Sequence, residues 1–291
     1  MITYDVLILG AGPAGLSAGL YAARAGAKTA IVENLAPGGQ INLTPDIANV
    51  PGHMIIGGAE LAEKMGEQAL NVGCEIIYDE PQKVDFKKNT VKCAETEIQY
   101  KSLIIATGQK PRNITAPRAE DFIGNGIHFC GLCDGAFYKG RNIVIVGGGN
   151  HAVEEAIYLS SLAKSITMVT DTEKLTAQQV LIDQLSKDIK IHYKSGIAEI
   201  FGENKVAGVR LLNSRQEIHC DGIFVCIGRV PNTDLFKKDL TLDRGYIVVD
   251  KDMRTNLPNV FAAGDVTAKS VRQVITACAD GAVAATFATR N

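Results

Sequence analysis

One arrangement of residues occurs twice in this chain and constrains its fold more than any other feature. The apolar run YDVLILG leads into GAGPAG, then the small-residue stretch LSAGLYAARAG, then a second apolar run, KTAIVE; RNIVIVGGGNHAVEEAIYLSSLAKSITMVTD repeats that order. The copies align without a gap from Gly10 to Glu33 and from Gly147 to Thr170, so that Gly10 meets Gly147, Gly12 meets Gly149, Gly15 meets Ala152 and Tyr21 meets Tyr158. A strand-length apolar run, a glycine turn, a helix-length run and another strand make a β-α-β opening. Its glycines permit a tight turn, close approach of backbone to a pyrophosphate and close packing of helix on strand. The helix N-terminus attracts the phosphates. Glu33 ends the second strand of the first copy, where a carboxylate accepts hydrogen bonds from a ribose hydroxyl. The expected fold class is α/β, with two Rossmann-like dinucleotide-binding domains of three layers. Such duplication suits an enzyme that passes electrons between two dinucleotides, a flavin and a nicotinamide.

The linkers are legible too. KSLIIATGQKPRNITAP carries an apolar strand into a glycine and two prolines, a plausible crossing out of the first domain, and FVCIGRVPNTDLF has the same form for the crossing back. The tail, with GYIVVDKDMRTNLPNVFAAGDV and RQVITACADGAVAATFATRN, then returns to the first domain. That domain is expected to be discontinuous, residues 1–111 and 237–291, with 112–236 forming the second. At 291 residues and 46% hydrophobic, the chain fills two cores without disulfides or metals. A formal charge of −2 gives no electrostatic case for nucleic acid or an anionic membrane as partner. The N-terminus MITYDVLILGAG lacks a basic n-region and soon meets a glycine turn, so neither signal peptide nor membrane span is expected and the protein is read as cytoplasmic.

Seven cysteines are present, and only Cys130 and Cys133, in HFCGLCDG, form a C-x-x-C pair. The other five, Cys74, Cys93, Cys220, Cys226 and Cys278, stand singly, mostly in apolar or strand-like runs, as small buried hydrophobes do. A bridge closing so short a loop would restrain the unfolded chain very little, which argues against a structural staple. Tetrahedral zinc needs four ligands, and no second C-x-x-C or H-x-x-x-H is present. Redox exchange through a dithiol is the favoured reading, with a zinc site and unreactive cysteines as its alternatives.

Together GAGPAG, GGQ, ATG, CGLCDG, GGGNHAVEEA, AAGD and RQVITACADG resemble the low-molecular-weight thioredoxin reductases over nearly the whole chain. The resemblance implies FAD held by Gly10, Gly12, Pro13, Ala14, Gly15, Glu33, Gly38, Gly39, Gln40, Asn49, Val84, Ala106, Thr107, Gly108, Gly264, Asp265, Arg272, Gln273 and Val274. It implies that Cys133 faces the flavin, that Cys130 attacks the disulfide of thioredoxin, that Asp134 manages the thiol proton, and that the enzyme is a homodimer. Asp134 has a plainer alternative as a turn or N-cap residue.

The second glycine turn departs from the family. Where NADPH-using members carry a His-Arg-Arg and a further Arg, this chain has Thr170, Asp171, Thr172 and Thr176. Asp171 and Glu173 would repel a 2′-phosphate. Asp171 is one step past the position of Glu33, and one step along a strand turns a side chain to the other face. His151 stands opposite Ala14 in the turn, either obstructing a pyrophosphate or lying exposed at the helix start. The resemblance therefore narrows to ferredoxin-dependent flavin thioredoxin reductases, with reduced ferredoxin as electron donor. Lys83, Lys87, Lys88 and Lys92, or Lys139 and Arg141, are candidate docking patches for an acidic partner, with an ordinary solvated face as the alternative. An NADH- or NADPH-dependent reductase and a non-enzymatic flavoprotein sensor are the other readings.

Overall fold

The computed structural model describes residues 2–44 and 46–290. The chain divides into two compact units, one of residues up to Lys110 and from Pro231 onward, the other Pro111–Val230. The return crossing lies six residues earlier than the expected 236/237, because Phe236 is buried with Leu240 and Ile247 in the core of the first unit.

In the first unit, β1 (Ile2–Leu9) leads through the glycine turn into α1 (Pro13–Arg24) and β2 (Thr29–Glu33), and α2 (Gly58–Asn71) precedes β3 (Glu75–Tyr78). An antiparallel hairpin, β4 (Pro81–Asp85) and β5 (Thr90–Cys93), then joins β6 (Glu97–Ile105). Val6 to Leu9 have no exposed surface, as a strand buried on both faces of a parallel sheet requires. β1 accordingly lies between β2 and β6, parallel to both.

A short strand, β7 (Gln109–Pro111), spans the first crossing, and the second unit continues with β8 (Ile127–His128), α3 (Gly131–Asp134), β9 (Asn142–Val146), α4 (Asn150–Ser160) and β10 (Ser165–Val169). After α5 (Gln179–Ile182) come β11 (Lys190–His192), an antiparallel sheet of β12 (Ile197–Phe201), β13 (Gly208–Leu211) and β14 (Glu217–His219), and then β15 (Gly222–Val225). The parallel sheet runs β11-β10-β9-β15-β8. Ala152, Val153, Ala156 and Leu159 of α4 pack on one face, and Ile200, Val209 and Leu211 of the antiparallel sheet pack on the other.

β16 (Arg229–Pro231) pairs with β7, and the chain returns through β17 (Leu242–Asp243), β18 (Tyr246–Ile247), β19 (Val260–Ala262) and α6 (Val274–Ala288). β19 adds in parallel to the second half of β6. One face of the first sheet is covered by α1 and α6, whose small residues bring the helices close: a Cβ on Gly281 would lie 2.1 Å from the Ala14 carbonyl oxygen. The other face is covered by Val84 and Val91 of the hairpin with Phe236, Leu240 and Ile247.

The repeat seen in the sequence is a repeat of backbone bonds. Gly10 N–H donates to the Val32 carbonyl and Gly147 N–H to that of Val169; Ala106 N–H donates to Leu9 and Cys226 N–H to Val146. Both first glycines have positive φ, and a Cβ on either would lie within 2.5 Å of the facing carbonyl oxygen, Ala106 or Cys226. The third position differs. A Cβ on Gly15 would lie 1.8 Å from the Gly10 carbonyl oxygen, whereas Ala152 is accommodated in the second copy. Gly15→Ala is expected to destabilise the first unit by about 1–3 kcal/mol through this overlap. Ala152→Gly should cost only the roughly 0.5–1 kcal/mol of a helical glycine, and denaturant unfolding of the two variants checks the asymmetry.

Candidate functional site

In the first unit the expected cofactor residues converge at the carboxyl ends of the parallel strands, where open α/β sheets bind ligands. Gly10 to Gly15 follow β1, Glu33 ends β2, Ala106 to Gly108 follow β6, and Gly264 with Asp265 follow β19. The Glu33 carboxylate accepts Ala11 N–H at 2.8 Å and Leu35 N–H at 3.0 Å, which holds it beside the turn. Gly38 N–H donates to the Ala11 carbonyl, bringing the Gly38–Gln40 loop to the same place. Gln40 donates from Nε2 to the Gln109 carbonyl at 3.1 Å, and Thr107 from its hydroxyl to that of Asn232 at 2.8 Å. Asn49 meets Gln273 at 3.0 Å, and Gln273 caps α6 just ahead of Val274. Arg272 lies over the Tyr246 ring and donates to the Thr267 carbonyl. Val84 stands apart on β4, its side chain in the core, so only its backbone is available to a ligand.

The second unit carries the cysteine pair. Cys130 caps α3 and is disulfide-bonded to Cys133, and its sulfur accepts the Cys133 backbone N–H at 3.1 Å. Cys130 is buried and Cys133 exposed. Asp134 follows directly, its carboxylate 3.1 Å from His128 Nδ1. Gly131 N–H donates to the Glu155 carboxylate at 2.8 Å, tying the redox turn to α4. Burial holds the Glu155 carboxyl above the usual carboxylate range, the Gly131 bond opposing it. The sequence reading did not single out His128, Tyr138 or Glu155. Their bonds close across a strand, a turn and a separate helix, and no local spacing announces them. The five remaining cysteines are buried or half-buried, and burial raises their thiols to about 12 at Cys74 and Cys220.

The second glycine turn keeps its backbone and changes its surroundings. Thr170 takes the place that Glu33 has in the first unit, is 2% exposed, and has its hydroxyl 2.8 Å from that of Thr172. Thr176 N–H donates to the Gly148 carbonyl at 2.7 Å, and Gln178 N–H to the Asn150 side chain. Asp171 and His151 are exposed, and Glu173 pairs with Lys194 at 2.6 Å. On the first unit, exposed Lys83 and Lys92 stand opposite each other across β4 and β5, with Glu97 opposite Lys92 on β6. In the second unit Lys139 is exposed, while Arg141 pairs with Asp221. No group of three metal-ligating side chains occurs among the described residues, and no described helix is long and apolar enough to cross a membrane.

Two dinucleotide-type units with a cysteine pair in one of them define a class, the flavoprotein disulfide oxidoreductases. The chain belongs to the pyridine nucleotide-disulphide oxidoreductase family, whose model matches residues 4–281, and within it to the thioredoxin reductases of low molecular weight. It is 44% identical over 291 residues to the thioredoxin reductase of Listeria monocytogenes, covering 97% of this chain and 91% of the relative. The crystal structure of Lactococcus lactis thioredoxin reductase matches with a TM-score of 0.88 at 37% identity, over 99% of this chain and 98% of that one. A ferredoxin-flavin thioredoxin reductase structure from Clostridium acetobutylicum matches at 30% identity and a TM-score of 0.56, over 100% and 98% of the two chains.

The family binds FAD, and the first unit fits that cofactor. The backbone of Gly12 faces open space within 4 Å of where a side chain would be, and α1 has no side-chain cap at its N-terminus, a combination that suits a pyrophosphate. Bound there, FAD supplies a carrier that takes electrons from a donor and passes a pair to a disulfide. Glu155 gives a test of the second unit. Its raised carboxyl means that the stability it contributes is complete below the ordinary carboxylate range and is lost as pH rises through the folded value. Glu155→Gln keeps an acceptor for Gly131 and removes the buried charge. It should leave thermal stability unchanged near pH 4 and raise Tm at pH 8 by a few degrees, the shift that about 1 kcal/mol produces in a domain of this size.

Proposed function

We propose that the protein reduces the disulfide of thioredoxin through Cys130 and Cys133, with electrons that reach its FAD from reduced ferredoxin rather than from NADPH. The observation that carries the choice of donor is the second turn: Thr170, closed onto Thr172, stands where the first unit has the Glu33 carboxylate. Asp171, Thr172 and Thr176 supply no cation for a 2′-phosphate, and the nearby Lys194 is engaged by Glu173. Hydride transfer needs a nicotinamide held against the flavin, whereas single-electron transfer needs only proximity of two cofactors. The latter survives decay of a nucleotide site. Two ferredoxins deliver one electron each, two protons come from solvent, and one disulfide becomes a dithiol. The likeness to the Clostridium acetobutylicum structure supports this reading. In it Asp134 is the acid-base partner of the pair, and the lysines around Lys83 and Lys92 are a docking surface for the acidic donor.

A second reading keeps a nicotinamide donor. The family's description and the preserved Gly147–Gly149 turn favour it, with Lys174 on the adjacent loop as the available cation.

Anaerobic stopped-flow mixing of the FAD-loaded enzyme separates the two. Flavin absorbance should bleach rapidly with reduced ferredoxin, more slowly as salt shortens the screening length, and barely with NADH or NADPH. Bleaching by a nicotinamide alone, or a calorimetric Kd for NADPH tighter than about 1 μM, roughly −8 kcal/mol, overturns the ferredoxin reading. The cysteine roles have their own check. Cys130 must be uncovered before it attacks, and Cys133 then resolves the mixed disulfide. Thioredoxin that lacks its resolving cysteine and carries its remaining cysteine as a mixed disulfide with an aryl thiol should lose the aryl thiolate to Cys133→Ser and accumulate as a stable protein–protein disulfide on a non-reducing gel, and Cys130→Ser should not give one.

A further inference from the structure

Disulfide exchange needs two sulfurs and a proton carrier, yet the redox turn of the second unit is joined to a buried side chain beyond these. His128 ends β8 with its ring packed against those of Tyr138 and Phe224, at centroid distances of 5.1 and 5.5 Å. Its Nε2 lies 2.7 Å from the Tyr138 hydroxyl and its Nδ1 3.1 Å from the Asp134 carboxylate. Tyr138 is itself buried, and burial raises its phenol. With a neutral ring and an ionised Asp134, one assignment satisfies both contacts: Nδ1–H donates to the carboxylate, and the Tyr138 hydroxyl donates to Nε2. A protonated Asp134 reverses both bonds, so that its O–H donates to Nδ1 and Nε2–H donates to Tyr138. The proton on Asp134 and the tautomer of His128 thus change together.

We propose that His128 is a positioning residue for Asp134, holding the carboxylate toward the cysteine pair and accommodating its gain of a proton by exchanging tautomer against Tyr138. The inference rests on the reading that Asp134 serves the dithiol. The step it supports balances within the exchange itself. Cys130 thiolate attacks the thioredoxin disulfide, forming a mixed disulfide and releasing one thioredoxin thiolate, which takes up a proton. Cys133 gives its proton to Asp134 and attacks Cys130. The Cys130–Cys133 bond forms, the mixed disulfide breaks, and the second thioredoxin thiolate is protonated in turn. The charged and titratable groups around this chain of contacts are Glu155, which faces Asp134, and Arg141, Asp221 and Cys220, which face Tyr138.

The test uses FAD-loaded enzyme reduced with dithiothreitol, freed of reductant, and mixed with oxidised thioredoxin, so that no electron donor enters the measurement. Alkylation of quenched samples reads the rate from pH 5 to 9. His128→Phe keeps an aromatic ring and removes both nitrogens; it should slow exchange by about tenfold or more, the low end of acid-base assistance, and displace the acid limb of the profile. His128→Asn returns a donor near Nδ1 and should recover the rate at neutral pH to within about threefold. Tyr138→Phe should flatten the profile without loss of folding. Wild-type rates and profiles in both His128→Phe and Tyr138→Phe, with Asp134→Asn impaired, overturn the role of His128 alone. A fully active Asp134→Asn overturns the reading of Asp134 beneath it, and a wild-type enzyme that leaves thioredoxin oxidised overturns both. If His128→Phe does not fold, the profile of Tyr138→Phe decides, since its packing is preserved.

Discussion

The structure depends on a contact in which no side chain fits. At Gly10 the backbone turns with positive φ against the carbonyl of Ala106, and at Gly147 it does the same against Cys226. That approach carries each chain directly from its central strand into a helix whose first N–H groups point to the carboxyl ends of the sheet. A larger residue would push the helix away from the neighbouring strand and take the phosphate-binding end with it. At that edge of the first unit the Glu33 carboxylate and the Gly38 loop are both hydrogen-bonded to Ala11, the residue after the turning glycine.

The two units share a backbone scaffold and differ in the side chains set around it. The same four backbone positions are bonded in the same way, and the strands keep the same parallel order around the central one. What differs is chemistry at the end of the second strand. Glu33 places a carboxylate beside the glycine turn, whereas Thr170 has its hydroxyl bonded to that of Thr172. Backbone geometry governs where a dinucleotide could lie. Side-chain charge decides whether a phosphate is held there, because in a partly exposed loop attraction depends on a nearby cation and repulsion on nearby carboxylates.

The redox centre is assembled on a different logic. A four-residue helix is too short to be stable by itself, and α3 is held by what surrounds it. Cys130 caps it through its sulfur, and Glu155 accepts its first N–H from a separate helix. Asp134, at its end, is fastened to a strand residue. These anchors hold the bridged pair in a defined geometry.

Much of this was legible in the order of residues. The period of apolar runs and the position of glycines determined the two β-α-β units and their gap-free register, because those patterns express local backbone requirements that hold in any context. The cysteine pair was also local, exposed by its spacing, and the uncharged or acidic residues at Thr170, Asp171, Thr172 and Thr176 were legible once set beside the family's pattern. The crossing back was placed late, since Phe236 reads as linker in one dimension and is core only once β17 and β18 pack against it. His128, Tyr138 and Glu155 were decided by tertiary structure alone. Each is joined by hydrogen bonds to residues on other elements, and such bonds depend on how strand, turn and helix are set against one another, a distance in space that no interval along the chain encodes.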